Sequence, residues 1–201
     1  MPNFGSWQPD VGGPNSGKAT LIEGAIPQAS SDGLGYGPFP QLVQASGAEA
    51  LAGEPLGLLS VQLPSGSWSL FAASSTAIEV LTSTFTWDDV ETGRTVTSGA
   101  DVSMAPFGSF LINTDTTDGM KAYNMVTPAG NNAISGAPAA AAVCVINNIV
   151  FGMNTTASPR RYENSDIGSH TRWTGGAADG KTFEDGGALI GGADLSNGVG
   201  D

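Results

Sequence analysis

The amino-acid sequence predicts an all-β protein of repeated four-stranded antiparallel units, β-propeller-like, carrying an extended N-terminal arm. Three observations carry that prediction. Short runs alternate apolar and polar residues with a period of two, which sends successive side chains to opposite faces of a sheet. Clusters of Gly, Pro, Ser, Thr and Asn break those runs every few residues. The run-and-break pattern then recurs about every 40 residues.

The clearest unit spans Ser60–Asp89. Val61–Leu63 is a short apolar run, stopped by Pro64-Ser65-Gly66. Trp68, Leu70 and Ala72 alternate with Ser67, Ser69 and Phe71 up to the break at Ser74-Ser75-Thr76. Ile78 and Val80 alternate around Glu79, and Phe85 and Trp87 around Thr84, Thr86 and Asp88. A second unit follows as Val102–Pro106, Ser109–Asn113 and Met120–Val126, with breaks at Phe107-Gly108 and Thr116–Gly119. A third runs through Ala139–Ile146, Asn147-Asn148, Ile149–Asn154, Thr155–Pro159 and Arg160–Glu163. The second strands centre on Leu70, Phe110 and Val150, 40 residues apart each time. Trp87 and Trp173 close the first and third units, and Ala188–Ile190 opens a fourth. This period with four strands is that of a propeller blade; evenly spaced hairpins of a sandwich or barrel are the alternative. A ring closes with typically four to eight blades, so the propeller is incomplete within this chain. A shortened form, completion by other subunits and an open assembly of sheets all fit.

Composition agrees with strands and turns. Gly (29) and Pro (12) make up about a fifth of the 201 residues, too many for long helices, while 40% hydrophobic content suffices for a core. The net charge of −12, with only seven Lys and Arg, argues against binding to nucleic-acid phosphates, although DNA passing nearby is compatible with it. Cys144 is alone, so no intramolecular disulfide and no cysteine metal cluster is expected. The start, MPNFGSWQPD, lacks a secretory pattern, and the apolar run at Pro138–Ile146 is far too short for a membrane helix. The expectation is a soluble protein without a membrane partner.

Residues 1–50 differ from the β-rich domain of residues 51–201. They are dense in Gly and Pro, and Pro38 and Pro40 keep Gly37–Pro40 extended or turned. Phe4, Trp7, Tyr36 and Phe39 are the candidate interaction residues, four aromatics that pin an ordered arm to a folded surface or a neighbouring subunit.

The combination of Phe4, Trp7-x-Pro9-Asp10, Ile26-Pro27 and Gly35–Pro40 resembles the N-terminal pattern of large phage and prophage virion proteins. Arg160–Trp173 and Thr182–Ile190 resemble a later segment of the same group. The resemblance covers most of the chain in order, through short motifs rich in turn residues. It implies a tail hub or nozzle protein with a β-propeller core, assembled as a ring in the virion after synthesis in the bacterial cytoplasm. Members of that group are usually much longer than this chain.

The residues themselves point to no reaction. His170 is the only histidine, read as a solvated turn residue. Ser165 or Ser169 with Asp166 lacks the Gly-x-Ser-x-Gly elbow of a nucleophile. Carboxylates at Asp88-Asp89-Glu91, Asp115/Asp118 and Glu184-Asp185 read as turn-formers, and neither Asp115–Asp118 nor Asp179–Asp185 has the ligand pattern of a calcium loop. Arg94, Arg160, Arg161 and Arg172 show no spacing that makes them converge. Asn164–Gly168 with Trp173 comes near the Asp box of sialidase-like propellers, itself a structural turn. The expectation is therefore a non-enzymatic, homo-oligomeric virion component without cofactor or metal, contacting other tail or connector proteins. A carbohydrate- or receptor-binding module of a tail is the alternative.

Overall fold

Turn chemistry sets the strand boundaries in a computed structural model that describes residues 25–30, 33–38, 49–63, 65–97, 100–128 and 130–192. Among them there are strands and no helices. The chain separates into Met1–Ala45 and Ser46–Asp201. In the first part, β1 (Ala25–Ser30) and β2 (Gly33–Pro38) form an antiparallel hairpin in register from Ala25 opposite Pro38 to Ser30 opposite Gly33. Tyr36 stands opposite Pro27 in that ladder, whereas Phe4, Trp7 and Phe39 lie outside the described residues.

The second part contains three four-stranded antiparallel sheets, each a meander of consecutive strands. The first holds β3 (Gly57–Gln62), β4 (Trp68–Ala73), β5 (Ala77–Leu81) and β6 (Trp87–Thr92). The second holds β7 (Ser103–Phe107), β8 (Phe110–Thr114), β9 (Lys121–Asn124) and β10 (Asn131–Ala133). The third holds β11 (Ala140–Ile146), β12 (Ile149–Thr155), β13 (Ser158–Asn164) and β14 (Asp179–Thr182).

Each turn from second to third strand opens on a side-chain oxygen that accepts from the backbone just ahead, the local bond that makes Ser, Thr and Asp turn residues. Ser74 Oγ accepts from the Thr76 and Ala77 N–H groups at 3.3 and 3.1 Å. Asp115 Oδ1 accepts from Thr117 and Asp118 at 2.7 Å each. Thr155 Oγ1 accepts from Ser158 at 3.4 Å. The β11–β12 turn uses Asn147 and Asn148 at φ +49° and +61°, the left-handed pair that a two-residue hairpin requires.

The sheets stack face to face in chain order. Between the first two lie Val61, Phe71, Ile78 and Val90 from one side and Leu111 and Tyr123 from the other. Phe71 meets Tyr123 edge-on, ring centroids 6.2 Å apart. Between the second and third lie Phe107, Ile112, Met120 and Ala122 against Val143 and Val150. The alternation is plain on β8: Leu111 and Asn113 face the first sheet, and Phe110 and Ile112 face the third. A third apolar cluster, around Ala142, Cys144 and Met153, covers the remaining face of the third sheet.

The structure moves several sequence-based boundaries. Phe85 is not a strand residue. It sits at φ +61° in a turn closed by hydrogen bonds among the Thr82, Thr84 and Thr86 hydroxyls, and β6 starts at Trp87. Ser158-Pro159 belongs to β13, beside an irregularity in its ladder with β12. Ala188–Ile190 opens no further strand among the described residues; Leu189 packs back on the third sheet.

Candidate functional site

The strongest concentration of charge bridges the first two sheets. Gly93, at φ +75°, ends β6 and turns Arg94 inward, where it is 2% exposed. Its guanidinium donates through Nε to Asp115 Oδ2 at 3.1 Å and through Nη2 to the same carboxylate. Its Nη1 donates to Glu91 Oε2 at 2.7 Å and to Asn113 Oδ1 at 2.9 Å. Asn131 Nδ2 donates to Glu91 Oε2 at 2.7 Å, and Lys121 forms an ion pair with Glu91. Strands β6 and β8 and the β8–β9 turn thus meet on Arg94, and β9 and β10 join the network through Glu91.

This network has the form of a closed junction. Both oxygens of Asp115 are engaged, one by the turn backbone and one by Arg94, so the group is held by protein donors instead of presenting a ligand site. No buried side-chain nitrogen or oxygen among the described residues lacks a partner. Buried charges persist when geometry satisfies them in this way. In the sequence Glu91, Asp115 and Asp118 read as separate turn carboxylates and Arg94 shows no convergence; the structure brings them together. One signal was available: Arg94 is the only Lys or Arg between Lys18 and Lys121.

The second candidate is the loop from β13 to β14. Asp166 Oδ1 accepts from the Ala177 N–H at 2.8 Å and from the Ile167 N–H at 3.0 Å, and its other oxygen pairs with Arg172 at 3.0 Å. The Ala177 donor, the largest influence, holds its carboxyl below the usual range against the opposing effect of burial, helped by the Ile167 N–H and Arg172. The loop is therefore closed on its own carboxylate. Ser165 Oγ accepts from Val150 N–H at 3.0 Å and lies within reach of the Asp166 carbonyl, so it is occupied by backbone.

His170 is not a solvated turn residue. It is half-buried, with its ring 4.2 Å from that of Phe110 and 5.7 Å from that of Phe107, and burial pushes its pKa down. Its own carbonyl accepts from Trp173 Nε1 at 2.9 Å, which fixes the loop over the gap between the second and third sheets. The arrangement packs the His170 ring against Phe110 and Phe107. Cys144 is buried, and burial raises its thiol pKa, which disfavours the reactive thiolate.

Two sheet faces remain at the ends of the stack. The first sheet turns Leu58 and Trp68, 61% and 68% exposed, away from the second. The third sheet carries a row of rings: Phe151 and Tyr162 lie 5.8 Å apart, Tyr162 and Phe183 6.0 Å, and Lys181 Nζ stands 5.7 Å from the Phe183 centroid. No cluster of potential metal-ligating side chains occurs among the described residues, and no helix there is long and apolar enough to cross a membrane. None of the family models, curated proteins or solved structures with which the chain was compared matches it.

Proposed function

We propose that the chain is a structural assembly component, a propeller-like arc of β-sheets that completes a homo-oligomeric ring in the tail or connector region of a phage particle. One observation carries the assembly part: three four-stranded meanders stack in chain order, and the stack ends on apolar side chains at both faces. Exposed aromatic and aliphatic clusters of this kind mark interaction surfaces. The placement in a virion rests on the motifs at Phe4–Asp10, Gly35–Pro40 and Arg160–Trp173. Other virion proteins are then its partners, and its acidic composition suits a passage to which DNA must not adhere. The interior charges support a mechanical role, since Arg94 and its carboxylates are spent on joining sheets.

A carbohydrate- or receptor-binding module is the second reading, favoured by the Phe151–Tyr162–Phe183 row with Phe183 41% exposed. Native mass spectrometry of the purified chain, followed by localisation in phage particles with a specific antibody, tests the two. A defined oligomer and label at the tail or connector support the first. A monomer that binds a glycan array through Phe183 supports the second and overturns the first.

A further inference from the structure

Leu189 repeats a role that two earlier residues play. After each fourth strand the chain turns back across the sheet it has completed. The Val96 N–H donates to the Ser75 carbonyl at 3.1 Å, the Ile134 N–H to Met120 at 3.0 Å, and the Leu189 N–H to Pro159 at 2.9 Å. In every case the acceptor lies at the start of the third strand, and the side chain joins an apolar cluster on the face that looks onward along the stack. The second sheet covers Val96 and the third covers Ile134, each left 7% exposed. The third sheet has the same crossing segment in place, yet beside it Phe183 and Ile190 are 41% and 92% exposed.

We infer that the outer face of the third sheet seats a further four-stranded sheet, and that this sheet is the first sheet of a second copy of the chain, joined head to tail. The inference rests on the assembly reading above and names its two faces. The first sheet supplies the complementary half: exposed Leu58 and Trp68 occupy its two leading strands, the counterparts of the strands from which Met104 and Leu111 of the second sheet pack against the first. Asp89 is exposed on the outer face of the first sheet, and Lys181 stands opposite Tyr162 on the outer face of the third. A head-to-tail contact uses a different patch on each copy, so it closes into a ring or runs on as a filament.

The test uses the full chain with Trp68→Asp or Phe183→Asp, both at exposed sites, with circular dichroism confirming that each variant folds. Sedimentation velocity from low to high micromolar concentration should show wild-type association, weakened about tenfold or more by either substitution, as for a buried aromatic anchor. Mixed together, the two variants should form a one-to-one pair, because the mixture retains one intact face of each kind. If wild type associates and neither variant weakens it, or the mixture forms no pair, the face assignment is wrong while self-assembly stands. A wild type that stays monomeric overturns both the inference and the self-assembly on which it rests.

Discussion

At the scale of the residue, one cation decides how the first two sheets meet. Arg94 receives acceptors from β6, β8 and the turn after β8, and its planar fork reaches several of them at once. Arg94→Ala would leave Asp115, fully buried, without its charge partner. Removing one partner of a buried pair costs about 3–5 kcal/mol, so urea denaturation should show a loss of that size, with Arg94→Lys recovering part of it. His170 gives a pH signature. Burial lowers its folded pKa below the ordinary value of 6.5, so the unfolded chain binds the extra proton first. Its contribution to stability is present above about pH 6.5 and is lost as pH falls through the lower folded pKa. The melting temperature of wild type should therefore decline more steeply below that pH than that of His170→Phe, which keeps the ring packing on Phe110 without the titration.

At the scale of the element, close approach of neighbouring sheets depends on missing side chains. A Cβ on Gly57 would fall on the Val102 carbonyl oxygen, where the entry to the second sheet crosses β3 and the Val102 N–H donates to Leu56. Gly57→Ala should cost about 1–3 kcal/mol by overpacking. Gly187→Ala, which meets nothing within 4 Å, should change stability by no more than about 0.5 kcal/mol in the same denaturation assay. The leading strands of each sheet were legible in the sequence because they alternate: Trp68–Ala73 and Ile149–Thr155 sit between clear turn residues, and Asn147-Asn148 is a hairpin signal. The outermost strands β10 and β14 were not legible. Asn131–Ala133 and Asp179–Thr182 are short, polar and largely exposed, so no apolar period marks them. Phe85 misled for the opposite reason: its aromatic side chain continues the alternation toward Trp87, but threonine hydroxyls two and four residues apart close a turn around it. The Arg94 junction was hidden because its members come from four strands and a turn, and only folding brings them together.

At the scale of the molecule, three sheets in a row share one plan. Each has consecutive strands, a capped turn after its second strand, and a crossing residue that faces onward. The proposed assembly extends this plan beyond one chain, through Leu58 and Trp68 exposed on one end face and Phe183 on the other. The measurement that tests this most directly is cryo-electron microscopy of the purified chain at high concentration. The account predicts closed rings in which four-stranded sheets radiate from an axis, the third sheet of one copy packed against the first sheet of the next. Single copies with Trp68 and Phe183 facing solvent, at a concentration where a ring would form, would contradict it.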